Sequence, residues 1–299
     1  MLKSQTKYAA LLLLTAFIWG TTFVAQRAGM DSVGPMTYIA CRMLLGSAVL
    51  LPVIRMRGRR SASSKTARPD RRSLWLWGAI CGTVLFFASL LQQIGLKTTS
   101  VGKAGFITTL YIVIVPLLGL MFGRRISALV GVSVLLSAAG LYFLCMSGMS
   151  GISPGDVYCL FCALLFSAHI LLVDKLPETV DGVSLSSAQF LVCGVWGCLG
   201  TLIFEHPTVG GIVSAAVPIL YAGVLSSGVG YTLQVVSQRH VHPTLASLIM
   251  SMESVFSALA GWVVLGQALV GREILGCGLM LAAIILAQQP AGAAGKTGG

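Results

Sequence analysis

Charged side chains are scarce in this sequence. They make up 10% of its 299 residues, against 56% for hydrophobic residues, whereas a soluble globular protein has about 25% charged residues. This scarcity excludes a chain that is solvated by water alone. The apolar residues form ten runs, each about as long as a helix that crosses the hydrocarbon core of a membrane. The runs lie near residues 8–25, 35–54, 74–95, 102–122, 126–147, 154–175, 184–204, 215–237, 243–265 and 271–288.

The runs predict an all-α integral membrane protein with ten transmembrane helices. Fifteen Lys and Arg residues fall on the side that holds both termini, and four fall on the other side. Because cytoplasmic loops carry the excess of positive charge, both termini are expected in the cytoplasm. The basic stretch 55–72 then serves as a topology signal. Its competing interpretations are a nucleic-acid arm and a patch for anionic lipids.

Motifs of other protein classes are missing. The sequence has no GxxxxGK[ST] loop, so ATP is not its direct energy source. An aspartyl intramembrane protease needs two Asp inside spans, and here the Asp residues fall at span ends or in loops. The eight cysteines all lie in apolar runs, where Cys behaves as a small hydrophobe, and no His, Cys and carboxylate cluster is present. An intramembrane enzyme is therefore the disfavoured class, and we expect no catalytic residue, metal or cofactor.

A weak internal repeat runs along the chain. A shift of 142 residues places 91–120 on 233–262, so that Gln92 meets Gln234 and Tyr111 meets Glu253. With five spans in each copy, the second copy enters the membrane from the opposite side. The resulting inverted repeat is the architecture of transporters that alternate access around a site at the midplane.

Two stretches resemble a known family. They read "LTAFIWGTTFVAQR" in the first span and "SMESVFSALAGWVVLGQ" in the ninth. With Arg42 in the second span, they resemble the EamA-type members of the drug/metabolite transporter superfamily, over the whole chain. In the ninth span Ser254 and Gln267 replace the Pro and the second acid of the usual pattern. The resemblance implies two EamA repeats, at 1–147 and 154–290, followed by a disordered tail at 291–299, and the transport of small metabolites.

Three ionisable residues inside the spans are candidate site residues. Glu253 lies near the middle of the ninth span, where a charged acid costs about 2.5 to 3.5 kcal/mol. It is either a proton or cation site or a protonated packing residue. For Arg42 the favoured interpretations are a side chain that reaches back to the interface, or a structural salt bridge. The alternatives are pairing with a substrate carboxylate or with Glu253. His169 is either a proton relay or, preferably, a hydrogen-bonded core residue.

Aromatic and amide side chains complete the candidate site. Tyr111 occupies the position that the repeat relates to Glu253, and an aromatic wall beside an acid suits a ligand with an ammonium group. Ordinary aromatic packing between helices is the alternative. The further candidates for substrate binding or coupling are Trp19, Gln92, Gln189, Tyr231 and Gln234.

These observations predict a multi-pass secondary transporter of the bacterial inner membrane. We expect it to export amino acids or related metabolites, with the proton as candidate coupling ion. Uptake or exchange of a quaternary amine such as choline is the alternative. Its partners are then a small-molecule substrate and the lipid bilayer, without a nucleic acid. The sequence carries no signal for an oligomeric state.

Overall fold

The regular structure of the described residues is helical throughout. The computed structural model describes residues 2–61, 71–99, 101–121, 123, 126–145, 153–265 and 270–287. Gln267 and the predicted tail 291–299 lie outside this part of the chain. The helices are α1 (Leu2–Met30), α2 (Pro35–Ser61), α3 (Arg71–Thr98), α4 (Val101–Thr109), α5 (Tyr111–Met121), α6 (Ala128–Cys145), α7 (Pro154–Asp174), α8 (Gly182–Phe204), α9 (Val209–Ser214), α10 (Ala216–Leu220), a π-helix (Tyr221–Tyr231), α11 (Thr232–Gln238), α12 (Pro243–Met250), α13 (Glu253–Leu265) and α14 (Gly271–Ala287).

Within the described part of the chain, eight segments are long and apolar enough to cross a membrane. They include α4 with α5, α12 with α13, and the stretch from α10 through the π-helix to α11. The fifth and tenth predicted spans correspond to the shorter helices α6 and α14, which pack against each other. The molecule is therefore an integral membrane protein with many spans, as the apolar runs predicted.

The two predicted spans 102–122 and 243–265 are broken helices and not continuous ones. The first breaks at Leu110 and the second at Ser251 and Met252. Side-chain hydroxyls bond to backbone carbonyls beside both breaks, with Thr109 Oγ1 2.7 Å from the Gly105 oxygen and Ser251 Oγ 2.7 Å from the Leu248 oxygen. Such bonds compete with the helical ladder.

Pro116 is not the point at which the first of these spans breaks, although a proline removes a helical donor. It lies within α5, six residues beyond Leu110. The matching position in the second half is Ala258, within α13, so a proline is not needed for a break. Hydroxyl residues lie at both breaks, although the same kind of bond also occurs inside continuous helices, as at Ser167 in α7.

The predicted span 215–237 contains an irregular middle section. Eleven residues, Tyr221–Tyr231, wind as a π-helix that packs against α1 and α2. Glycine permits the close approach at Gly230, since a Cβ added there would lie 2.8 Å from the Trp19 Nε1 atom. Wide turns of this kind are frequent at functional sites, and this one ends at Tyr231, one of the candidate residues.

Candidate functional site

Glu253 and Tyr111 are the first residues of the two half-helices that follow the breaks, α13 and α5. Tyr111 donates its hydroxyl to Glu253 Oε1 over 3.0 Å, between positions 142 residues apart. Thr109 Oγ1 lies 3.3 Å from the same carboxylate oxygen and 2.9 Å from Ser254 Oγ. The repeat pair of the sequence is thus a direct contact in the structure.

The surroundings of Glu253 act on its charge in opposite directions. Its side chain is 4% exposed, and burial disfavours the carboxylate relative to the neutral acid. The hydroxyl donor of Tyr111 and the N-terminus of α13 favour the carboxylate. A group in such a balance can exchange a proton or a cationic partner.

Arg42 is buried in the same cavity as Glu253. Its side chain is only 2% exposed, so the interpretation in which it reaches back to the interface is wrong. The structural salt bridge is also wrong, because Arg42 forms no ion pair with any described residue and its Nε atom has no hydrogen-bond partner among them. The guanidinium lies 5.8 Å from the centre of the Tyr38 ring. A buried cation without an anion is costly, so this group is available to an anionic ligand.

An aromatic wall faces the cavity from α1 and the end of the π-helix. The rings of Trp19 and Tyr231 are 4.6 Å apart at an angle of 53°. Trp19 donates its Nε1 hydrogen to the Ser226 carbonyl over 3.4 Å, within the π-helix. Phe190 supports Tyr231 from behind, with ring centres 5.9 Å apart. The wall is therefore held in place by backbone and ring contacts.

His169 and Gln189 form a separate pair behind this wall. His169 Nε2 lies 2.9 Å from Gln189 Oε1, and both side chains are fully buried. The His169 ring also contacts Tyr231 edge to face, with centres 6.4 Å apart. Neither residue lines the cavity. These two predicted candidates therefore lie beside the site, where His169 contacts the lining residue Tyr231.

The cavity is narrow in this conformation, with about 40 Å³ of space for the centres of water-sized spheres. This is room for about three water molecules. Seven of the nine predicted residues line it: Trp19, Arg42, Gln92, Tyr111, Tyr231, Gln234 and Glu253. The other lining residues are Thr22, Phe23, Gln26, Thr108, Phe166, Ile170, Ser226 and Met250.

Gln26 is the site residue that sequence reasoning missed most clearly. It is buried, lines the cavity and accepts a hydrogen bond from Gln93 Nε2. A polar residue seven positions from Trp19 lies on the same face of a helix, and this spacing is the signal that could have found it. Among the described residues, no group of three His, Cys, Asp or Glu side chains could hold a metal ion.

The fold and site define a multi-pass membrane protein with a polar cavity between two broken helices. Comparison with known families identifies it further. The model of the EamA-like transporter family matches residues 6–146 and again residues 153–288. The chain therefore belongs to the EamA-like transporter family, within the drug/metabolite transporter superfamily, and is a transporter by family.

Relatives of known name agree with this assignment. An uncharacterized transporter of Archaeoglobus fulgidus is 29% identical, over 92% of this chain and 83% of the relative. The inner membrane transporter YedA of Escherichia coli is 24% identical, over 90% and 86%. An S-adenosylmethionine/S-adenosylhomocysteine transporter of Chlamydia muridarum is 22% identical, over 90% of each chain.

A solved crystal structure has the same fold. It matches with a TM-score of 0.76 and 20% identity, over 94% of this chain and 96% of the other. The likeness extends over nearly the whole of both chains, so the helix arrangement described above is shared with that protein.

Proposed function

We propose that this protein is a secondary active transporter that exports amino acids or related zwitterionic metabolites across the bacterial inner membrane. One observation carries the proposal: a single cavity holds the buried, unpaired guanidinium of Arg42 and the carboxyl group of Glu253. An amino acid has a carboxylate for the first group and an ammonium for the second. Binding such a ligand would remove the cost of the buried cation.

The position of the site supports alternating access. Discontinuous helices that meet near the midplane form the substrate sites of many transporters with inverted repeats. Here the two broken helices meet at Tyr111 and Glu253, and the two matches of the family model support repeats at 1–147 and 154–290. We infer that the halves rock around this contact, and that Glu253 exchanges a proton during the cycle.

S-adenosylmethionine is a second candidate substrate. A relative from Chlamydia muridarum is named as a transporter of this compound, which joins an amino acid group to a purine. The Trp19 and Tyr231 rings in the cavity offer a surface on which a purine could stack. Choline is less well supported, because a permanent cation without a carboxylate would leave Arg42 unpaired and would be repelled by it.

The test is ligand-induced stabilisation of the purified protein. A ligand that binds only the folded state raises the apparent Tm. Amino acids, S-adenosylmethionine and choline form the first panel. Leucine is then compared with isoamylamine, which lacks the carboxylate, and with 4-methylpentanoate, which lacks the ammonium.

We expect an amino acid or S-adenosylmethionine to raise Tm, and both one-charge analogues to fail. In Arg42→Gln, leucine and isoamylamine should no longer differ in the Tm shift that they cause. In Glu253→Gln, leucine and 4-methylpentanoate should no longer differ in this shift. Stabilisation by choline alone, unchanged in Arg42→Gln, would overturn the zwitterion proposal in favour of a quaternary amine.

A further inference from the structure

The helix α11 carries buried polar atoms that continue beyond the transport cavity. Gln238 is 1% exposed, and neither its Oε1 nor its Nε2 atom has a hydrogen-bond partner among the described residues. Gln234 Oε1 and Ser237 Oγ also lack a hydrogen-bond partner among the described residues, and both side chains are buried. In native proteins such groups are a small minority, and most buried polar atoms find protein or water partners.

These atoms lie in a row. Gln234 and Gln238 are four residues apart on α11, so they share one helix face and are separated by about 6 Å along its axis. Gln234 lines the central cavity. Arg239 follows Gln238 at the end of α11, and its side chain is only half-buried. The row therefore begins at the cavity and ends where α11 meets its loop.

The neighbouring face of α11 is apolar by contrast. Val235 is fully buried and packs in a cluster with Val173, Val180 and Leu185 from α7, α8 and the loop between them. Three positions with unpartnered polar atoms, Gln234, Ser237 and Gln238, thus share one side of this short helix. A further atom of this kind, Thr232 Oγ1, lies on the opposite side at the first residue of α11.

We propose that Gln234, Ser237 and Gln238 line a narrow water-filled passage between the central cavity and the Arg239 end of α11. The passage is the route by which a proton reaches Glu253 from that end of the protein. Amide and hydroxyl groups suit this task, since each can donate and accept hydrogen bonds and can hold a chain of water molecules. The proton role rests on the proposed function, whereas the water-filled passage does not.

The passage is tested with cysteine reporters in the full-length protein. Gln238→Cys is treated with a charged methanethiosulfonate reagent after purification, and modification is read by mass spectrometry of the peptide that contains residue 238. Val235→Cys is the matched control, three positions away and fully buried. Ser237→Cys, which differs by one atom, is a second reporter that keeps the test decisive where the glutamine variant fails to fold.

We expect the reporters at 237 or 238 to react at least about tenfold faster than the reporter at 235, because thiol reactivity follows access to water. Equal, slow modification at all three positions would overturn the passage. This outcome would leave the zwitterion proposal untouched, since no substrate enters the experiment.

The proton role is tested by infrared spectroscopy after a rapid change of pH. The band of the protonated Glu253 carboxyl is identified by its loss in Glu253→Gln. In Gln238→Leu we expect this band to change several-fold more slowly than in the unmodified protein. Val235→Leu is the control, because it changes a side chain outside the proposed passage. If the band changes at the same rate in Gln238→Leu and in the unmodified protein, protons reach Glu253 by another route.

Discussion

Gly20 of α1 lies directly against the backbone of Glu253, at the start of α13. A Cβ atom added at Gly20 would stand 2.6 Å from the Glu253 carbonyl oxygen and 2.8 Å from the Ser257 nitrogen. Real Cβ atoms do not approach backbone atoms so closely, so a side chain at this position must push α1 and α13 apart. The helix that presents Trp19 is thereby held next to the helix that presents Glu253.

Gly20→Ala should therefore destabilise the protein by about 1 to 3 kcal/mol, the usual cost of overpacking. We also expect it to weaken the stabilisation by ligands, because the cavity lies between the two helices. Thermal unfolding with and without an amino acid measures both effects. Gly131→Ala is the control, since nothing lies within 4 Å of a Cβ added at Gly131. Equal Tm values for the two variants would show that α1 and α13 adjust freely.

Tyr111→Phe removes the donor to Glu253 and keeps the ring. A hydrogen bond to a charged group contributes about 1.5 to 3 kcal/mol, and one between neutral groups about 1 kcal/mol. The loss of stability on this substitution therefore reports whether Glu253 is ionised in the resting protein. Tyr142→Phe, at an exposed position of α6, should leave Tm unchanged. No loss in Tyr111→Phe would mean that the carboxyl finds another donor.

Glu253→Gln should fold, because the amide oxygen can accept the hydrogen bonds of Tyr111 and Thr109. Without an exchangeable proton at this position, transport in vesicles should no longer respond to an imposed pH gradient. Uptake of a radiolabelled amino acid, with and without the gradient, gives the answer. Glu178→Gln, which alters an exposed carboxylate outside the spans, is the control. Flux that still follows the gradient in Glu253→Gln would end the proton role of this residue.

A second acid has a structural task. Glu205, at the end of α8, accepts hydrogen bonds from the backbone nitrogens of Met36 and Thr37, each at 2.9 Å, and from the Thr37 hydroxyl at 2.7 Å. It thus caps the N-terminus of α2 from another helix, where a negative charge is favoured.

Glu205→Gln should cost about 1.5 to 3 kcal/mol, because the amide nitrogen cannot accept these bonds. Asp31→Asn, at an exposed acid nearby, should cost much less. Thermal unfolding of the two variants compares them. Ligand stabilisation should survive in Glu205→Gln, since the cap lies outside the central cavity. Equal stability of the two variants would remove the capping role.

The sequence by itself determined the membrane fold and seven of the fifteen side chains that line the cavity. Long apolar runs specify helices that cross a bilayer, because a spanning segment must satisfy its own backbone hydrogen bonds. One acid, one arginine and a few glutamines are the polar exceptions in these runs. Such residues are costly inside a membrane and are therefore candidates for a functional site. Their depth along each helix follows from a fixed rise per residue, and seven of nine candidates indeed meet in one cavity.

Only the tertiary structure decided which of these residues face one another. Depth says nothing about rotation around the helix axis, so Arg42 could be expected at the interface, and His169 and Gln189 in the cavity. The breaks at Leu110 and Ser251 were also invisible, because hydroxyl side chains are tolerated in continuous helices as well. Whether such a residue bonds to its own backbone or to a neighbour depends on the helices packed around it, and that packing is what joins Tyr111 to Glu253.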